Sequence, residues 1–217
     1  TGSDGCWTIP LIKKGIKINE FQASNAGFNI LKWNSKNEGL IIKNCEVTMG
    51  DITKKGEVLF TNYGLEGAPI YAMNHFVRLG KRTITIDLKP TFSIEKLLLL
   101  FNDEKLNRTK QLEKLKIPKQ LISYIKNHIS KEEYLNAHFL ANYLKNMPFE
   151  IESLRPIEEA ISTVGGIDMD EETPIFQLIN YPNIFAIGEM LDWDAPTGGY
   201  LLQACFSMGY VVAKELN

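Results

Sequence analysis

A single carboxylate, Glu189, stands between Gly188 and Met190, and nine residues later come paired glycines, Gly198 and Gly199. A carboxylate accepts hydrogen bonds from ligand hydroxyls. Paired glycines let a ligand approach the main chain and leave its N–H groups accessible. The flanking residues say where this chemistry would sit. Ile184, Phe185, Ala186 and Ile187 form an apolar run that reads as a buried strand, and 200–216 reads as a helix. The acid then lies at the carboxyl end of a strand and the glycines at the amino end of a helix, the edge at which open α/β sheets hold cofactors. Thr197 is suited to cap that helix. Tyr200 and Leu201 would add the next N–H groups to the row, at the positive end of the helix dipole. Asp192 and Asp194 flank Trp193. The two acids either shape the loop or are solvated, and the indole either stacks near a substrate or anchors packing.

Three further groups of residues are candidates. Ser3 and Asp4 open a first helix, where capping explains them without any ligand. Gly165 and Gly166 end a strand and permit close backbone approach, although a tight turn explains them as well. His75, His128 and His138 share no metal-ligand spacing with one another or with Cys6, Cys45 and Cys205. Three widely spaced cysteines also fit no disulfide framework, which points to a reducing, cytoplasmic setting. No nucleophile–base arrangement can be argued from spacing, so no catalytic residue is assigned.

The wording of 188–200, Gly-Glu-Met-Leu-Asp-Trp-Asp-Ala-Pro-Thr-Gly-Gly-Tyr, resembles the C-terminal signature of the BaiN and aminoacetone-oxidase-like FAD-dependent oxidoreductases. Four other segments agree in type and order: 1–5, 25–28, 56–67 and 155–166. The resemblance covers nearly the whole chain apart from about 93–147. It implies FAD as cofactor, with Gly188 and Glu189 near the ribityl chain and Thr197, Gly198, Gly199, Tyr200 and Leu201 facing the flavin pyrimidine edge. Ser3, Asp4, Gly165 and Gly166 would lie nearby. Members of that family begin with a strand, a Gly-x-Gly-x-x-Gly turn and a helix that hold the FAD pyrophosphate, and no such motif occurs in these 217 residues. The expectation is a C-terminal fragment that binds FAD weakly by itself, because the helix N-terminus that would take the pyrophosphate charge is missing.

Composition is that of an ordinary globular protein, 44% hydrophobic and 23% charged, with a net charge of −2. No apolar run approaches the roughly 20 residues that span a bilayer. Charge is uneven: 94–147 holds ten basic against six acidic residues, and 168–217 one basic against eight acidic. The basic stretch is a solvated helical surface or a docking face for an acidic partner such as RNA, though few aromatics are interleaved with its lysines.

Strands are expected at 28–33, 40–47, 57–61, 83–88, 150–154 and 161–164. A short helix is expected from Gly67 to about Leu79, and a helix from Thr8 or earlier to Gly15. Within 93–147, Ser93 caps one helix to Phe101, Pro118 starts another that ends near His128, and Ser130 opens a third to about Asn146 through a capping box. The fold class is therefore mixed α/β: a remnant of a Rossmann-like FAD-binding domain (1–20 with 168–217), an inserted β-barrel-like domain (21–92 with 148–167) and a helical insert (93–147). The implied activity is hydride transfer between flavin and a small-molecule or nucleobase substrate, with NAD(P)H or oxygen as second partner. The alternative is a binding module whose basic helical insert recognises RNA.

Overall fold

A computed structural model describes residues 4–103 and 105–216; Ser3 lies outside the described residues. By compactness the chain divides into two units. One comprises Gly27–Ser153, and the other the residues up to Ala26 together with those from Leu154 onward.

Along the chain, helix α1 (Thr8–Lys13) and strand β1 (Ile18–Ser24) come first. Four strands follow: β2 (Phe28–Ile30), β3 (Ile41–Met49), β4 (Ile52–Phe60) and β5 (Gly64–Glu66). Two short helices, α2 (Ala68–Tyr71) and α3 (Asn74–Arg78), lead to β6 (Thr83–Asp87). Five helices come next: α4 (Ile94–Phe101), α5 (Arg108–Lys114), α6 (Lys119–His128), α7 (Lys131–Leu135) and α8 (Ala137–Lys145). The chain continues with β7 (Met147–Leu154), β8 (Ser162–Ile167), β9 (Gln177–Leu178) and β10 (Tyr181–Phe185), and ends with α9 (Tyr200–Glu215).

The expected barrel is present. Six strands close in the order β2-β5-β4-β3-β6-β7. Closure between β2 and β7 includes Leu31 N–H donating to the Glu150 carbonyl at 2.8 Å. Along β3 the residues Cys45, Val47 and Met49 are buried in strict alternation, the period of a half-buried strand. Phe28, Phe60, Leu65, Ile84 and Ile86 fill the interior at 0–1% exposure. Each such side chain contributes about 1.5–3 kcal/mol on burial. Trp33 stacks on Phe60 at 5.1 Å, and helix α6 brings Tyr124 to this core, tilted against Phe60 and stacked on Phe149.

Several boundaries differ from expectation for identifiable reasons. Strand β4 begins at Ile52, not Glu57. Its polar first half carries little strand signal but pairs along the backbone with β3, Val47 opposite Lys54 and Met49 opposite Ile52. The helix expected from Gly67 to Leu79 is two helices, with Met73 between them. Helix α5 was not expected; Asn107 caps it by accepting from Lys110 N–H at 3.0 Å. The helix expected from Ser130 to Asn146 breaks at Asn136, whose extended backbone ends α7 and whose side chain caps α8. The Ser130–Glu133 capping box is present as read.

In the other unit, β1 and β8 form an antiparallel ribbon and β9 and β10 a second one. The run at 184–187 is thus not a strand in a buried parallel sheet. It continues a two-stranded ribbon in which Pro182 and Asn183 are exposed. A small core joins Ile16, Ile167, Leu178, Ala186 and Leu191, with Trp7, Leu11 and Phe176 packed on it. Helix α9 buries no residue completely, and its Tyr200, Leu202, Phe206 and Tyr210 are each more than 60% exposed.

Candidate functional site

After Ala186 the chain makes one 3-10 turn, Gly188–Met190, which packs against α9 and β8. Gly188 N–H points to Met208 Sδ at 3.2 Å, and the Gly188 carbonyl accepts from Trp193 Nε1 at 2.7 Å. The indole therefore anchors the turn. The two flanking acids are anchors as well. Asp192 Oδ1 accepts from Gly165 N–H at 2.9 Å and Oδ2 from Asn19 Nδ2 at 2.7 Å. Asp194 Oδ1 accepts from Ser24 Oγ at 2.5 Å. Buried Asn25, held at φ 52°, donates through Nδ2 to the Ala195 carbonyl at 2.8 Å and to Ser162 Oγ at 2.7 Å. Asn tolerates this left-handed conformation better than most residues. Four polar ties thus fasten the loop 192–195 to the β1·β8 ribbon. Sequence reasoning missed Asn19, Ser24, Asn25 and Ser162; Asn25 and Ser162 stood in segments that carried the family resemblance, Asn19 and Ser24 outside them.

The turn presents Glu189 and Met190 to a cleft of ≈ 210 Å³, also lined by Trp7, Phe21, Ile157 and Thr163. Trp7 and Phe21 meet at 5.8 Å with their planes tilted by 59°. Glu189 is exposed and, among the described residues, is the sole acid of the lining. Neither aromatic was among the expected site residues. They are fourteen positions apart, Trp7 at the start of α1 and Phe21 within β1, with no motif between them.

Gly165 and Gly166 lie within β8, not in a turn, and each is pressed against backbone. At φ 102° and 123°, an added Cβ would stand 2.3 Å from the Glu20 carbonyl oxygen and 2.4 Å from that of Met190. Packing of the ribbon and of the 3-10 turn therefore accounts for both glycines. Gly198 and Gly199 differ. Both are exposed with positive φ, and nothing lies within 4 Å of a Cβ placed on Gly199. Thr197 does not cap α9. The N-cap is Gly199 at φ 90° and ψ 0°, no side chain accepts from the first turn, and the first helical bond runs from Gln203 N–H to the Gly199 carbonyl. The N–H groups of Tyr200 and Leu201 are left for another acceptor. Residues 197–201 do not line the Glu189 cleft.

Asp4 serves its own turn, accepting from Cys6 N–H at 3.0 Å, which lowers its carboxyl. Thr8 does not cap α1 either. Its hydroxyl donates to the Gly5 carbonyl at 2.7 Å.

Two acids near the loop are electrostatically opposite. Lys17, at 2.5 Å, the Asp170 backbone N–H and Asn19 hold the Asp168 carboxyl down at about 2. Both oxygens of Glu172 are buried without a hydrogen-bond partner, and burial pushes this carboxyl up to about 7. Among the described residues no cluster of His, Cys, Asp and Glu could hold a metal ion, and no helix is long and apolar enough to cross a membrane. His128 stacks on Tyr124 at 3.7 Å. Burial raises the Cys45 thiol to about 11, leaving it a core residue.

Comparison with known proteins follows the same lines. The chain is 25% identical over 177 residues to a 3-dehydro-bile acid delta(4,6)-reductase of Clostridium scindens, covering 73% of this chain and 43% of the relative. It is 23% identical over 173 residues to a ribosomal RNA dihydrouridine synthase of Haemophilus influenzae, covering 74% of this chain and 42% of the relative. It thus spans less than half the length of either. Residues 1–215 match one family throughout, and on that match the chain belongs to the HI0933-like protein Rossmann domain family.

Proposed function

We propose that this chain supplies the flavin-ring side of a FAD-dependent oxidoreductase that moves hydride between the flavin and a small-molecule or nucleobase substrate. NAD(P)H or oxygen would be the second partner. The observation that carries the reading is the start of α9: a 16-residue helix whose first N–H groups have no side-chain acceptor and follow two exposed left-handed glycines. Such an end favours an electron-rich acceptor. Family membership and two relatives, one named a reductase and the other a dihydrouridine synthase, support the same chemistry.

Flavin, when bound, supplies a ring that takes up and releases hydride. The residues of this chain do the rest. The N–H groups of Tyr200 and Leu201 would donate to the ring's pyrimidine edge, and Gly198 and Gly199 would leave room for it. Glu189 would accept hydrogen bonds from ribityl hydroxyls. Trp7 and Phe21 would keep water from that side. Asp192, Asp194 and Trp193 would position the loop through the bonds that anchor them. Gly165 and Gly166, with their packing role, need not contact the cofactor.

The test is uptake of FAD by the complete polypeptide in which this chain occurs, followed through the visible flavin band. Gly199→Val, which fills the space left for the ring, and Glu189→Gln, which removes a charge-assisted hydrogen bond, are each expected to weaken FAD binding about tenfold. A folded, colourless polypeptide that never takes up added FAD would overturn the reading. Reduction of the bound flavin by NADH against NADPH then identifies the electron donor.

A further inference from the structure

The barrel unit has a cleft of its own, of ≈ 340 Å³, far from the loop just described in sequence and unrelated to it in chemistry. Its floor is apolar: Ile42, Leu88, Ile117 and Leu121 are all buried. Among the described residues its polar lining consists of Asn44 and three lysines, Lys43, Lys89 and Lys116, with no carboxylate; outside the lining, Lys43 Nζ lies 3.9 Å from Glu57 in an exposed ion pair.

The lysines are unusually placed. Lys89 is only partly exposed, and its stem is fixed at the root. Its N–H donates to Asp87 Oδ1 at 2.8 Å and its carbonyl accepts from Lys145 Nζ at 3.2 Å. Asp87 is itself neutralised by Lys145 at 2.5 Å, so it is not available to the Lys89 ammonium. Burial and the charge of Lys116 both lower the Lys89 ammonium, and no acid counters them. Two cations thus face each other over an apolar floor, an arrangement that costs free energy until an anion joins them. The backbone aims them there. Lys43 and Asn44 sit in the register shift between Ile42 and Cys45, and Lys116 follows α5 at φ 56°. Bulges of this kind redirect side chains. Pro118 begins α6 with no side-chain cap, adding free N–H groups at the same corner.

We propose that this cleft binds a phosphate ester, with its oxygens against Lys43, Lys89 and Lys116 and its organic part over Ile42, Leu88 and Ile117. Ammonium groups on flexible stems suit phosphate as point charges. The ester would come from a free nucleotide or from an RNA strand.

The experiment titrates the purified chain with AMP and, separately, with a short single-stranded oligouridine, at low and high salt. Saturable, salt-sensitive AMP binding assigns the site to a free nucleotide. Binding of the oligomer with none of AMP assigns it to an RNA strand. In either case the double variant Lys89→Met/Lys116→Ser should weaken binding at least about tenfold. NMR titration of the wild-type Lys89 ε-group covers the case of a variant that fails to fold: its ammonium must rise toward the ordinary lysine range when the probe is bound. No saturable binding of either probe at millimolar concentration, equal binding by the folded double variant, or an unmoved Lys89 would each overturn the proposal. Flavin uptake plays no part in these readouts, so the two proposals fail separately.

Discussion

The barrel unit closes its sheet on itself, fills it with large apolar side chains and seats a helix on the aromatic end through Tyr124. The terminal unit has two short ribbons, a core of five buried residues and a final helix with most of its large apolar side chains in the open. It holds its shape by other means: glycines that let backbones touch, and carboxylates and amides that tie the 192–195 loop to β1 and β8. Burial stabilises in proportion to area and is indifferent to direction. Hydrogen bonds contribute less in net terms but fix geometry. The barrel is thus built to persist, and the loop is built to be aimed.

The sharpest way to break that contrast is inside the barrel. Phe60→Ala removes a side chain with 0% exposure and should cost about 3–5 kcal/mol. Urea denaturation followed by tryptophan fluorescence reads it, because the Trp33 indole stacks on Phe60. Next in size is Gly165→Ala, which forces a Cβ onto the Glu20 carbonyl at a φ that L-residues avoid. About 2–3 kcal/mol is expected, with hydrogen exchange accelerated in β1 and β8 and unchanged in β3 and β4. Equal acceleration in both units would erase the distinction. Asp192→Ala strands the Gly165 N–H and leaves the Asn19 amide with Asp168 alone, at a cost of about 1–2 kcal/mol. The loosening should appear at 188–195 and leave barrel amides untouched.

The smallest effect is one of pH. The folded state raises the Glu172 carboxyl, so it favours the protonated form. Below the ordinary carboxylate range there is no penalty; the penalty grows as pH rises and is complete above about 7. Glu172→Gln should therefore raise Tm by about 2 °C at alkaline pH and leave it unchanged near pH 4. Asp168 runs the other way. Its folded carboxyl is depressed, so its contribution is present at neutral pH and lost as pH falls toward about 2.

Much of the fold was legible because the signals were local. Ser93, Pro118 and the Ser130–Glu133 pair mark helix starts within three residues of themselves. Asn107 and Asn136 carry the same information, but Asn serves turns equally well, so α5 and the break before α8 escaped notice. The first half of β4 escaped for the opposite reason: its strand character comes from backbone pairing with β3, not from its side chains. At the site, Glu189 and the Gly198–Gly199 pair stood out as residue types suited to a ligand. The role expected for Thr197 failed because Gly199 already begins the helix in a left-handed conformation.

Local order, then, was written along the chain: where helices start, which strands alternate, which loop carries an acid before paired glycines. The partnerships were not. Asn19 meets Asp192 across 173 positions and Ser24 meets Asp194 across 170. Lys89 faces Lys116 from a different element. Capping and alternation act over a few residues and leave a trace in composition. A hydrogen bond or a charge pair between distant segments leaves none, because any of many polar residues could make it once folding brings the two segments together.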